Sequence, residues 1–181
     1  MRARASGIPI ALAGILDCTD WYMPEGGWKM PATVGAYRFF FQSAFPGGGR
    51  SAVAANNQEL SCGHVYVAVD PAVLAWVKFE ATRIVGAAPK DTKFFALLIR
   101  GLTVGISLLS PLENIQAILQ SLGIECQIAS AGLFAHEFYS ANLQTLVDKY
   151  RGGSQIMVIG HSTGGDEAAK IAAALTALGA E

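Results

Sequence analysis

Apolar and polar positions switch between two periods along the chain, and the switches mark out strands and helices. Phe94 to Ile99 is continuously apolar, as expected of a strand in a sheet covered on both faces. A loop of small residues follows. Ser110-Pro111 then opens a helix that reaches Leu122 and stops at Gly123. Ile124 to Ala129 reads as a short strand. His136 to Tyr150 reads as a helix with Phe138, Leu143, Leu146 and Val147 on one face, ending at Arg151-Gly152-Gly153. Gln155 to Ile159 is a buried strand and Asp166 to Leu178 an alanine-rich helix. Further upstream, Gly63 to Val69 alternates and predicts a strand over 63–69. Asp70-Pro71 supplies an N-cap and a first helical residue for a helix over 72–85, with Gly86 and Pro89 as its stop. Strand and helix in alternation predict an α/β fold, a mostly parallel sheet with flanking helices in a Rossmann-like three-layer arrangement.

The first 60 residues read differently. They are rich in aromatic residues, glycine and proline, with turn signals at Gly26-Gly27, Pro46-Gly47-Gly48-Gly49 and Asn56-Asn57. Tyr37 to Phe41 lacks a clean period, so its state is undecided. The division expected is a segment 1–90 of uncertain fold and an α/β core over 91–181, without internal repeats. Arg2 and Arg4 precede the apolar run Ile8 to Leu16, the shape of a short signal peptide, but no small-residue cleavage site follows. A cytoplasmic location is expected, a secreted or periplasmic one being the alternative. The longest apolar candidate, Phe94 to Leu109, is broken by Arg100, Gly101 and Gly105, so no transmembrane span is expected.

Composition sharpens this picture in one respect. The 181 residues are 52% hydrophobic and 15% charged, against a typical charged share of about 25%. Mean hydropathy is +0.37. Such a chain is built around a buried sheet or presents surface to a partner. A net charge of −1 gives no electrostatic ground for binding nucleic acid. Cys18, Cys62 and Cys126 are scattered and odd in number, which suits buried thiols better than a disulfide framework or a zinc site.

Candidate chemistry concentrates where the last strand meets the last helix. Gly160-His161-Ser162-Thr163-Gly164-Gly165 fits G-x-S-x-G, the nucleophile elbow. A sharp strand-to-helix turn forces the serine into a strained backbone region, and side chains two residues to either side would crowd it. The helix then aims its amide-rich N-terminus at the serine, where a developing oxyanion can be held.

With strand before and helix after, Phe94 to Leu178 resembles the N-terminal core of an α/β-hydrolase of the lipase, esterase or thioesterase kind. The resemblance covers a little under half of the chain. It implies that Ser162 is the nucleophile and that the backbone N–H groups of Leu102 and Thr163 form the oxyanion hole. Arg100-Gly101-Leu102 sits where the family usually carries His-Gly-x, and Arg100 in place of histidine would bias the site toward an anionic substrate. His161 is a common residue at its elbow position in the family, where it is not the base. The family's acid and histidine follow the serine in chain order. Here His64, His136 and His161 all precede Ser162. The resemblance then implies either a truncated form or a histidine base from outside the family's ordinary chain order, with no residue assignable as acid or base by correspondence.

Other residues carry weaker signals. His136 opens a helix and reads as exposed. Cys62 and His64 form a two-ligand metal pair at most. Asp17 and Asp20 read as a solvated pair, and Asp166 and Glu167 as residues that favour the N-terminus of the last helix. Gly160 to Gly165 could also cradle phosphate, but it lacks the P-loop lysine. The leading expectation is a serine hydrolase acting on an ester or thioester, a small-molecule acyl substrate, with no cofactor and no metal. The alternative is a catalytically inactive binding or interaction module that self-associates through an exposed sheet edge.

Overall fold

The longest apolar runs of the chain become the interior strands of a single sheet. The computed structural model describes residues 7–18, 24–43, 49–101, 111–131 and 136–178, with only the backbone for 136–138. Six strands pair in parallel throughout: β1 (Ile10–Leu16), β2 (Val34–Phe41), β3 (Asn57–Glu59), β4 (Lys93–Arg100), β5 (Glu125–Ser130) and β6 (Ser154–His161). Their order across the sheet is β3-β2-β1-β6-β4-β5. Four helices flank it: α1 (Pro71–Ala87), α2 (Glu113–Ser121), α3 (His136–Arg151) and α4 (Thr163–Ala177). The arrangement is the three-layer α/β sandwich that the alternating pattern predicts.

Alternate residues of each strand face opposite layers. Ile15, Phe39, Phe95, Leu97, Ile99, Ile156 and Val158 pack with Leu146 and Val147 of α3 and with Ala168, Ile171 and Leu175 of α4. Leu12, Leu16, Phe40, Phe94, Ala96, Leu98, Met157 and Ile159 pack with Val73, Trp76 and Val77 of α1 and with Ile115 and Leu119 of α2. Each valine, leucine, isoleucine, methionine or phenylalanine among them contributes about 1.5–3 kcal/mol when fully buried, so β1, β4 and β6 form the energetic centre. Leu146, Val147 and the partly buried Leu143 lie on the expected face of α3.

Local signals explain the helix boundaries. Asp70 caps α1 by accepting from the Ala72 amide at 2.8 Å, with Pro71 behind it. Gly123 and Gly153 take positive φ after α2 and α3, where the chain must turn.

One expectation is corrected. Residues 63–69 are not a strand: Gly63 precedes a 3-10 helix over His64–Val69, closed by Tyr66 N–H to Gly63 O and Asp70 N–H to Val67 O. Val67 and Ala68 turn inward while Tyr66 is 63% exposed, a distribution that a turn satisfies and a period-two strand does not. The turn signal at Asn56-Asn57 falls where a short 3-10 helix over Ala54–Asn56 passes into the edge strand β3. The apolar run with the shape of a signal peptide is the central strand β1. The sheet takes strands from both sides of residue 90, β1 pairing with β6 along most of its length. Among the described residues no helix is long and apolar enough to cross a membrane.

Candidate active site

Adjacent strands β4 and β6 send their following helices, α2 and α4, to opposite faces of the sheet. A crevice opens at the C-terminal ends of strands where this happens, and ligands of open α/β sheets bind there. Four elements meet at this edge: the ends of β1, β4 and β6, and the 3-10 helix after β3.

Ser162 leaves β6 with φ 60° and ψ −130°, a region that side chains rarely occupy. Its amide donates to Leu16 O at 2.9 Å, and the Gly165 amide donates back to Ser162 O at 2.8 Å. The surrounding glycines are required by space. A Cβ at Gly160 would stand 2.0 Å from the Gly164 carbonyl oxygen, and one at Gly164 would stand 2.2 Å from that of Ile99. Gly101 is equally confined, since a Cβ there would meet Ser162 Cβ at 2.5 Å. The turn is therefore sharp because three backbones cross within contact distance.

His64 lies against this serine although 98 residues separate them, its Nε2 standing 2.9 Å from Ser162 Oγ. Its Nδ1 stands 2.7 Å from Asp17 Oδ2. A carboxylate only accepts, so Nδ1 carries the proton donated to Asp17, and the bare Nε2 accepts from the serine hydroxyl. Asp17 is fully buried at the end of β1, and its Oδ1 accepts from the Gln42 amide at 3.2 Å. Its φ is 44°. Asp17 and Ser162 are the two non-glycine residues with positive φ among those described. Strained backbone of this kind costs about 1–3 kcal/mol per residue and persists only where surrounding structure imposes it.

His161, beside the serine, is fully buried. Its Nε2 donates to the carbonyl oxygen of His64 at 2.8 Å, and the two rings lie 4.9 Å apart at 32°. Burial, reinforced by the neighbouring His64 ring, lowers its pKa to about 4. Cys18 is buried beside the elbow. Burial pushes its thiol well up, with the charges of Asp166 and Asp17 adding to the effect.

The sequence-predicted residues divide clearly. Ser162 and Thr163 stand at the junction of β6 and α4, as the elbow motif requires. Leu102 and Asp20 lie outside the described residues, as does the side chain of His136, whose backbone opens α3. Arg100 ends β4, and its guanidinium is ion-paired with Glu113 of α2, so its charge is already matched. Cys62 and His64 do not form a metal pair, since the thiol hydrogen-bonds Asp70 while the imidazole bridges Asp17 and Ser162. Among the described residues no group of three or more metal-ligating side chains comes together.

Two readings are overturned by burial. Asp17 is not solvated but is the innermost carboxylate of the site. Asp166 and Glu167 are nearly inaccessible, at 2% and 5%, and have tertiary partners rather than a capping role alone. Asp166 is hydrogen-bonded with Cys18, and Glu167 accepts from Asn142 Nδ2 of α3 at 2.8 Å. Asp17 and His64 are the residues that sequence reasoning missed as a pair. One signal pointed to Asp17: it closes the apolar run Ile8 to Leu16, and the C-terminal ends of parallel strands are where sites gather.

A concavity of about 570 Å³, lined among others by Pro9, Ile10, Thr33, Tyr150 and Gln155, opens at the opposite end of the strands and is separate from this constellation. Compared with models of protein families, with curated proteins and with solved structures, the chain matches none.

Proposed function

We propose that this chain is a serine hydrolase of the α/β-hydrolase kind, acting on an ester or thioester through Ser162, His64 and Asp17. The observation that carries the reading is one imidazole hydrogen-bonded at the same time to a strained elbow serine and to a buried carboxylate. Nucleophile, base and orienting acid are recognised by geometry and role, and unrelated folds place them in different chain orders. Here the order is acid, base, nucleophile. The residues expected after the serine are supplied before it.

The reaction follows from the contacts. Ser162 Oγ attacks the acyl carbon while His64 Nε2 takes the hydroxyl proton. Asp17 holds the imidazole in the Nδ1–H tautomer and stabilises the imidazolium that forms. The carbonyl oxygen becomes an oxyanion facing the N-terminus of α4, where the Thr163 amide stands, with Leu102 as the second donor implied by the family resemblance. His64 then returns its proton to the departing alcohol or thiol, leaving an acyl-Ser162 ester. A water molecule, deprotonated by His64, attacks that ester, and the acid is released with Ser162 reprotonated.

A fluorophosphonate probe tests this directly, because it reacts with a serine only when base and oxyanion donors are in place. The wild-type chain should be labelled at Ser162, while Ser162→Ala and His64→Gln should not be. A folded wild-type chain that resists labelling would sink the enzyme reading and leave a hydrolase-shaped binding module.

A further inference from the structure

We propose that His161 is a positioning residue, which holds His64 in place between Ser162 and Asp17. The proposal deepens the serine-hydrolase reading and rests on it for its effect on rate.

The base, its side chain 19% exposed, stands on a segment outside the sheet. Its strand of origin, β3, ends at Glu59, and His64 opens a short 3-10 helix beyond it. His161, by contrast, is the last residue of β6 and pairs in register with Leu16 of β1. Its Nε2–H bond to the His64 carbonyl therefore ties the start of that 3-10 helix to the end of an interior strand, across 97 positions of sequence. The ring of His161 also lies against the ring of His64 and limits its tilt. One strand end thus carries the nucleophile and, one residue earlier, the group that fixes the base opposite it. Because burial keeps the His161 imidazole neutral, with a pKa lowered to about 4, it does not oppose the imidazolium that forms on His64.

A buried histidine with a satisfied donor could serve packing alone, so the test separates the N–H from the volume. His161→Phe keeps a ring and loses the donor; His161→Gln keeps an N–H at the corresponding position. On the full chain, two readouts are followed: the rate of fluorophosphonate labelling, and the downfield proton resonance of His64 Nδ1–H against Asp17. Misplacement of a catalytic group by about 1 Å costs about 100-fold in rate. We expect His161→Phe to slow labelling by about 10- to 100-fold and to lose the resonance, and His161→Gln to keep the resonance and to label within about 3-fold of wild type. Equal loss in both variants, or in neither, overturns the inference. If His161→Phe does not fold, nitrogen chemical shifts of the wild type decide: His161 must be the Nε2–H tautomer, and an Nδ1–H tautomer overturns the proposal. If the wild type is not labelled at all, the hydrolase reading fails, while the resonance and its dependence on His161 still decide the positioning role.

Discussion

The two sides of the site are built by opposite means. On the β6 side, Ser162 is shaped by its neighbours in sequence (a strand, two flanking glycines and the first turn of α4), with Leu16, Ile99 and Gly101 closing around that turn. On the β1 side, Asp17 and His64 meet residues far away in sequence, Asp17 ending a strand in register with β6 and His64 accepting from His161 at its carbonyl oxygen. The first kind of construction is local and rigid because backbones touch. The second depends on the whole sheet. Both end in the same constellation, which teaches that chain order and site geometry are independent once the strand ends are fixed.

The largest break in this comparison should come from Asp17. Asp17→Asn leaves the shape of the side chain but takes away the acceptor that selects the His64 tautomer, and turnover of an activated ester should fall by about 10⁴-fold. Stopped-flow or steady-state hydrolysis of a nitrophenyl ester measures it. A loss under about 10-fold would mean that Asp17 is a structural residue and that the β1 side is not part of the machinery.

The β6 side is broken by volume instead. Gly160→Ala drives a methyl group into the Gly164 carbonyl, 2.0 Å away, where both partners are backbone. Stability measured by urea unfolding should drop by about 3 kcal/mol or more. Gly86→Ala is the control. Nothing lies within 4 Å of that exposed position near the end of α1, and alanine there should stabilise by about 0.5–1 kcal/mol. The same substitution then has opposite signs at the two positions.

Acid sharpens the comparison from the other direction. His161 has a folded-state pKa lowered from 6.5 to about 4, chiefly by burial and then by the His64 ring, against a partly compensating Asp17. The unfolded chain therefore takes up this proton first as pH falls. The contribution to stability is complete above the unfolded value and is lost as pH falls from about 6.5 toward 4, by up to about 3 kcal/mol. His161→Gln, followed in parallel, should flatten this part of the stability curve. Identical slopes for the two proteins would show that His161 does not carry the acid sensitivity.

How much of this was legible in the sequence follows from the same contrast. The strands over Phe94 to Ile99 and Gln155 to Ile159, the helix capped by Asp70 and the elbow around Ser162 were all readable, because each is specified by residues within a few positions of one another. The alternation of Gly63 to Val69 was misread because a short apolar run fits a strand and a 3-10 turn alike, and only Val67 and Ala68 packing inward decides between them. Asp17 read as an exposed loop carboxylate because the end of β1 is indistinguishable from a loop until β2 and β6 are known to flank it. His64 had no local signal for a base at all. Its meaning lies in two partners 47 and 98 residues away.

The position of β6 has a consequence for how the molecule can fail. In the order β3-β2-β1-β6-β4-β5, every hydrogen-bonded ladder joining the first three strands to β4 and β5 runs through β6. The strand that presents the serine is thus the keystone of the sheet. Chemistry and architecture share one point of weakness: pull β6 out and the molecule becomes two small sheets, each with a bare hydrophobic edge prone to adhere to other chains. Damage to the elbow strand would then surface first as aggregation, before any folded chain with an altered site accumulates.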